Sequence, residues 1–363
     1  MSRPTYLLTS STALLHNLKR VRACAPQQKI MAVVKANAYG TGLDFAIPVL
    51  NGQVDAFAVS CLEEAIKIRE LGSRASCVLL QGVFNAEEWR VAERYGFDCV
   101  IHHQAQLKWL LSVHLPSKIK VWVKINTGMH RLGFAIDEVE DVLRTLESCP
   151  WVDKHIRLMT HLARADERGH PYNDFQLNAF YTMSAPFKKY VHSIANSAAI
   201  LSLPKTHADV VRPGIMLYGV SPFENQTGVD LGLMPVVRLM SAITVIRHYP
   251  AGSSIGYGGT YKTDRPSIIG IVPVGYGDGY PRHIQPQTPV WVNGVIVPVV
   301  GRVSMDMLTI DLTTTPDAQE GDPVELWGPH IPIEQIATSA GTIAYELLCQ
   351  MTDRLRWSAT GLF

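Results

Sequence analysis

A lysine ends an apolar, β-branched run at Ala32-Val33-Val34-Lys35-Ala36-Asn37-Ala38-Tyr39-Gly40. An amine at the end of such a run loses part of its hydration, and desolvation favours the neutral, nucleophilic form. Read alone, a lysine ending a buried strand is more often only a solvated rim residue. Polar residues follow other apolar runs in the same way: Lys124, Asn126 and then Arg131 in Thr127-Gly128-Met129-His130-Arg131-Leu132-Gly133, His161, Asn196-Ser197, and Arg212-Pro213-Gly214. Singly these read as a hydrogen-bonded histidine, a turn, or an N-cap serine opening Ser197-Ala198-Ala199-Ile200. Gathered on one rim, two lysines, two arginines, a histidine and a small-residue loop make a cationic pocket suited to phosphate and carboxylate groups.

The elements between them must do the gathering. Strand candidates recur at Ile30–Val34, Asp55–Val59, Cys77–Leu80, Asp98–Ile101, Lys120–Ile125, Ile156–Thr160, Tyr190–Ile194 and Ala208–Val211. Helical spacing fills the intervals, as in Leu62–Leu71, Ala86–Tyr95, Asp137–Leu146 and Asp174–Met183. Continuous apolar strands alternating with helices indicate buried parallel strands. Eight such units in about 210 residues predict a (β/α)8 barrel, whose chemistry collects at the C-terminal ends of the strands. Ser197 and the Gly214 loop follow strands seven and eight, where such barrels bind phosphate.

After Tyr218 the texture changes. Pro222, Asn225, Gly228 and Gly232 mark a turn-rich junction, dividing a barrel domain, 1–228, from a mostly β domain, 229–363. The β-rich runs are Val236–Ile246, Ser267–Val274, Pro289–Val300 and Met307–Leu312, with a type I′ hairpin signal at Asn293-Gly294 and a helix expected near Gly341–Met351. Two glycine–tyrosine clusters, Ile255–Tyr261 and Val274–Tyr280, lack the strand–helix setting of a dinucleotide fingerprint. Each is either a turn covered by tyrosine or a loop presenting a hydroxyl.

The 363 residues exceed one ordinary core. Hydrophobic residues at 47% and charged residues at 18% describe a soluble globular chain. Lys plus Arg, 33, against Asp plus Glu, 32, leaves a net charge of +1, without the basic excess of a nucleic-acid binder. No apolar run approaches the roughly 18–20 residues of a membrane span, and residues 1–20 lack a signal-peptide pattern. The six cysteines are scattered without CxxC or zinc spacing, so no metal is expected and the chain reads as cytoplasmic.

The Lys35 segment resembles the pyridoxal-phosphate attachment signature of the bacterial alanine racemases. The likeness extends along the chain through the Thr127–Gly133 segment, His161 before Ala165-Asp166-Glu167, Asn196–Ala199, Arg212–Ile215, Gly256–Gly259, Gly275–Tyr280, Ser304–Met307 and Ala344–Glu346. It implies a barrel plus β domain, a homodimer with composite sites, and interconversion of L- and D-alanine through pyridoxal phosphate. By the same resemblance Lys35 would hold the cofactor as a Schiff base, and Tyr257 from the partner subunit would be the second acid/base. Arg212 would face the pyridine nitrogen with His161 orienting it. Tyr39, Asn196, Ser197, Gly214, Ile215 and Tyr345 would hold the cofactor and its phosphate. Arg131 and the backbone near Met305 would receive the substrate carboxylate, supported by Tyr276, Asp306 and a Lys124 that many relatives carry carboxylated. Thr41, where relatives often have His, and Asn126, where many have Asp, depart from the pattern beside the site.

Three other readings are weighed beside it. A basic amino-acid decarboxylase on the same scaffold would carry a glycine triplet and a C-terminal cysteine motif, and neither stands here. A barrel-only cofactor-binding protein would stop near residue 230. A cofactor-free binding protein would lack the near-visible colour of a lysine Schiff base.

Overall fold

The computed structural model describes residues 3–360. Eight parallel strands, Lys29–Val33, Ala56–Val59, Ser76–Leu79, Asp98–Ile101, Val121–Lys124, Arg157–Met159, Val191–Ser193 and Val210–Val211, pair in chain order. The eighth pairs with the first, Lys29 opposite Val210. Asp209 N donates to His192 O (3.1 Å) and Arg212 N to Ala195 O (3.0 Å), which draws the seventh and eighth together and closes the barrel. Covered on both faces, most of these strand residues are buried, which is why their sequence is continuously apolar.

The helices follow the same logic. Val139–Ser148 buries Val139, Val142, Leu143 and Leu146, one stripe at 3–4 spacing. Ala86–Tyr95 starts where Asn85 Oδ1 accepts from Glu88 N (3.0 Å) and stops at left-handed Gly96.

The second domain is built on a nine-stranded sheet. Its order is Val245–Tyr249, Ser267–Val272, Leu308–Asp311, Val295–Val300, Pro289–Val292, Pro323–Trp327, Val237–Ala242, Tyr6–Ser10 and Arg356–Thr360. All neighbours are antiparallel except the last pair, which is parallel. Asn293 (φ 48°) and Gly294 (φ 87°) both take the left-handed region that a type I′ turn requires.

Three differences from the sequence reading have local causes. Tyr6–Ser10, numbered within the first domain, joins the second domain's sheet; Leu7 and Thr9 are buried while Tyr6 and Leu8 are less so, a one-faced alternation unlike the barrel strands. The run Val236–Ile246 is two strands, broken at Ile243-Thr244. The helix expected near Gly341–Met351 is Ala344–Cys349, and a further helix that the sequence reading did not mark, Ile333–Ala340, precedes it and is terminated by Gly341 (φ 68°).

The domains are tied at the junction. Glu334 Oε1 accepts from Ser221 N (2.8 Å) and Gly228 N (2.9 Å), gripping both ends of the linker. Buried Asn17 donates to Leu217 O (3.0 Å) and Met234 O (2.8 Å) and accepts from Met234 N (2.8 Å).

Candidate active site

Lys35 begins a turn of unusual backbone. Ala36, Asn37, Ala38 and Tyr39 have φ of 52°, 52°, 54° and 53°. A left-handed turn of L-residues costs roughly 1–2 kcal/mol per residue, so its surroundings must impose it. Glu64 supplies two anchors: Oε1 accepts from Ala36 N (2.6 Å) and Oε2 from Ser60 N (2.8 Å). Asn37 Oδ1 accepts from Leu43 N (2.8 Å). Gly40 passes so close to the helix Ala344–Cys349 that any Cβ would overlap Leu348 O. That approach sets the Tyr345 ring 6.1 Å from Tyr39, whose other neighbour, Tyr218, lies at 4.9 Å. Burial pushes both the Tyr39 and Tyr345 phenols well up, so both remain protonated donors.

Across the barrel mouth, the structure corrects one cap. Asn196, not Ser197, caps the helix Ser197–Ser202: its Oδ1 accepts from Ala199 N (3.1 Å), the amide a cap must reach. Ser197 Oγ is thereby released to accept from Gly214 N (2.8 Å) and Met216 N (3.4 Å).

Arg212 is buried and donates to Ser193 Oγ (2.6 Å), Thr160 O (2.7 Å) and Ile194 O (3.0 Å). Burial lowers it to about 10, leaving it charged at neutral pH. It also reaches His161 Nδ1 at 3.4 Å. A guanidinium has no acceptor, so Nδ1 accepts and the imidazole proton sits on Nε2. Burial, then the Arg212 charge, hold His161 far below the usual imidazole value, so it is neutral.

Arg131 stands on a loop stapled to the fifth strand: Phe134 N donates to Lys124 O and Asn126 N to Phe134 O, both at 2.9 Å. Asn126 Oδ1 accepts from Gly128 N (3.2 Å) and His130 N (3.0 Å), so this departure from the family pattern organises the loop's backbone. Lys124 ends the strand itself. Burial and the charges of Arg212, Arg131 and Lys35 bring it down to about 8. Lys35 is lowered by burial and by Arg131.

Lys35, Tyr39, Lys124, Arg131, His161, Asn196, Ser197, Arg212, Gly214, Ile215 and Tyr345 all line one cavity of about 1090 Å³. Four cations and a neutral imidazole around it suit an anionic ligand. Tyr257, Tyr276, Met305 and Asp306 are not brought there. Tyr257 tips a small hairpin, 70% exposed; Met305 is 53% exposed. Met305 O accepts from Gly277 N (2.9 Å), Ser304 O accepts from Tyr276 N (3.1 Å), and Asp306 accepts from Arg354 (2.7 Å), so these residues form one surface patch. Thr41 is buried and is not on the cavity wall. Glu64, Thr160 and Ser193 serve the site without having been marked in the sequence; each sits inside an ordinary helical or strand pattern. Among the described residues, no cluster of His, Cys, Asp and Glu could hold a metal.

Two family models match: the alanine racemase N-terminal domain over residues 10–222 and the alanine racemase C-terminal domain over residues 236–358. The alanine racemase of Legionella pneumophila (strain Lens) is 59% identical over 98% of this chain and 100% of its own. That of Nitrosococcus oceani is 48% identical over 98% and 99%. Among solved structures, the biosynthetic alanine racemase of Pseudomonas aeruginosa superposes with a TM-score of 0.95 at 41% identity, covering 99% of this chain and 100% of that one. The Acinetobacter baumannii enzyme gives 0.94 at 43%, with the same coverage. With both domains matched, and relatives alike from end to end, the chain belongs to the alanine racemase family.

Proposed function

We propose that this enzyme interconverts L- and D-alanine with pyridoxal phosphate, Lys35 and the partner subunit's Tyr257 moving the proton on opposite faces of the substrate. The observation that carries the reading is the cavity itself: a partly desolvated lysine facing cationic donors, with the family's tyrosine left outside on an exposed hairpin of the same chain.

The residues present fit the cofactor. Gly214 lacks the Cβ that would displace the Tyr39 hydroxyl. Ser197 Oγ accepts from the backbone and so keeps its own proton for a ligand. With Tyr39, Tyr345 and the backbone N–H of Ile215, beside Gly214 and the Asn196 cap, it forms a donor set for a phosphate. When bound, pyridoxal phosphate supplies the sink for the electrons left when Cα loses its proton. Lys35 would anchor it covalently. Arg212 can only donate, so a ring nitrogen facing it stays unprotonated. His161 steadies that guanidinium.

Racemisation takes a proton from one face of Cα and returns one to the other, and a single base beside a fixed substrate reaches only one face. Burial and the Arg131 charge lower Lys35, which eases release of its proton, and a tyrosine phenol serves the opposite side. Arg131 and the partner's Met305 backbone receive the substrate carboxylate. Both Tyr257 and Met305 would then come from a second copy, giving a homodimer with composite sites in which Tyr276 and Asp306 flank Met305.

Lys124 takes up carbon dioxide: its neutral amine forms an N–C bond, releases a proton and becomes a carbamate anion able to hold Arg131. Its value near 8 and its three cationic neighbours support this. A cytoplasmic location is in keeping with six free cysteines.

The test is to purify the protein, record its near-visible absorption and follow L-alanine by circular dichroism. Decay of the signal to zero supports the racemase; release of carbon dioxide or no change refutes it.

A further inference from the structure

Gln176, fully buried on the helix Pro171–Ser184, sits behind the cavity wall. Its Oε1 accepts from Ala163 N (2.8 Å), and its Nε2 donates to His161 O (3.1 Å) and Thr127 Oγ1 (3.3 Å). The first two bonds pair the amide with the loop after the sixth barrel strand, as a neighbouring peptide would. The third crosses to the loop after the fifth.

The directions beyond it are forced. Thr160 Oγ1 donates to Ile125 O (2.9 Å), so it accepts from Thr127 Oγ1, 2.8 Å away. Thr127, having given its proton, accepts from Gln176. The donors therefore run one way: Gln176, Thr127, Thr160, Ile125. Thr160 also holds Arg212 through its carbonyl (2.7 Å). From the same helix, Tyr172 OH donates to Gly128 O (2.8 Å). Gly128 (φ 138°) has no room for a Cβ, which would lie 2.8 Å from the Tyr172 hydroxyl and 3.2 Å from Gln176 Cγ.

We propose that Gln176, acting through Thr127, is a positioning residue that fixes the spacing between the Arg131 loop and the His161–Arg212 pair. Resting on the reading of the cavity given above, this makes the helix behind the wall the gauge that sets where the substrate carboxylate lies relative to the cofactor ring. A buried amide with both ends in use has no equivalent among other side chains. A carboxylate offers no donor to His161 O, and a methionine leaves three partners unsatisfied.

The test compares Thr127→Val, Thr127→Ser and Gln176→Met in the full-length protein. Two readouts are taken: KM and kcat for L-alanine, and amide hydrogen exchange of the apoprotein over residues 125–134 and 160–166. Thr127→Val, which keeps the shape and removes the relay, should raise KM roughly tenfold, with a smaller loss of kcat. Exchange should quicken in both loops and not in the barrel strands, and Thr127→Ser should restore wild-type values. Gln176→Met should do the same more strongly; if it does not fold, the Thr127 pair decides alone. An unchanged KM, or exchange that quickens throughout the barrel, overturns the proposal and leaves Gln176 a packing residue. Should the wild type fail to racemise alanine, the functional reading falls, while exchange in the two loops still decides whether they are coupled.

Discussion

The Tyr39 hydroxyl occupies the space in which a side chain at Gly214 would begin. The ring has little room to retreat, held between Tyr218 at 4.9 Å and Tyr345 at 6.1 Å. Gly214→Ala should therefore keep the fold at an overpacking cost of about 1–3 kcal/mol while moving a proposed phosphate donor. Titrating the apoprotein with pyridoxal phosphate should show weaker retention by at least tenfold, about 1.4 kcal/mol. Wild-type affinity would mean that Tyr39 is not a phosphate ligand.

The two proposed bases are separable. Lys35→Ala should lose the near-visible band together with nearly all activity, because anchor and base vanish at once. Tyr257→Phe should keep the band, lose racemisation in both directions, and take up solvent deuterium strongly one-sidedly. Near-normal rates both ways in Tyr257→Phe would remove the tyrosine from the mechanism.

Mixed subunits examine the proposed composite site. In a dimer that exchanges Tyr257, pairing Lys35→Ala with Tyr257→Phe gathers both lesions in one site and leaves the other intact. Mixing two inactive variants should then restore activity. If each chain builds its own site, the mixture stays inactive.

Lys124 gives a pH dependence with a definite sign. Held near 8 against an ordinary 10.5, it leaves the folded chain with fewer protons than the unfolded chain between those values. Stability from this group therefore rises with pH across that window, and its full cost is present below pH 8. In carbon-dioxide-free buffer at pH 7, Lys124→Met should raise the apoprotein's Tm by about 2–4 °C, the gain fading towards pH 10.5. With labelled bicarbonate, the wild type should show a carbamate carbon signal that Lys124→Met lacks. No signal and no Tm gain would mean that the amine simply turns outwards.

Glu64 carries the strained turn after Lys35. Glu64→Gln sets an amide donor against one of two backbone N–H groups, Ala36 or Ser60, at a cost of about 1–3 kcal/mol. The expected result is a lower Tm with weaker cofactor retention. A variant with wild-type retention would show that the turn holds its shape without this carboxylate.

The barrel was legible because its strands are buried on both faces, so Ile30 to Val34 or Val121 to Val123 read as unbroken apolar runs. Residues just past such runs could be placed on one rim by counting, and Lys35, Arg131, His161 and Arg212 were found that way. What escaped depends on partners distant in sequence. Tyr6–Ser10 is too short to reveal that its neighbours lie at Val237–Ala242 and Arg356–Thr360. Ser197 reads as the cap in place of Asn196 because both residues cap helices well, and only the position of Gly214 N decides which oxygen is spoken for. Gln176 and Glu64 each sit in a helix like any other polar residue, their importance lying in amides 13 and 28 positions away.

Tyr6–Ser10 has a further consequence in time. It leaves the ribosome ahead of the barrel yet is sandwiched between strands made some 230 and 350 residues later, at Met240 and Arg356. During synthesis the barrel has all its strands once residue 211 has emerged, while this first segment waits without its sheet. The second domain therefore closes last, by a long-range pairing of early chain with late chain, the class of step that sets the slow phase of folding. Tyr345, the Tyr257 hairpin and the Met305 patch belong to that domain, so the barrel mouth gains the last of its cavity wall only after all the barrel strands have been made.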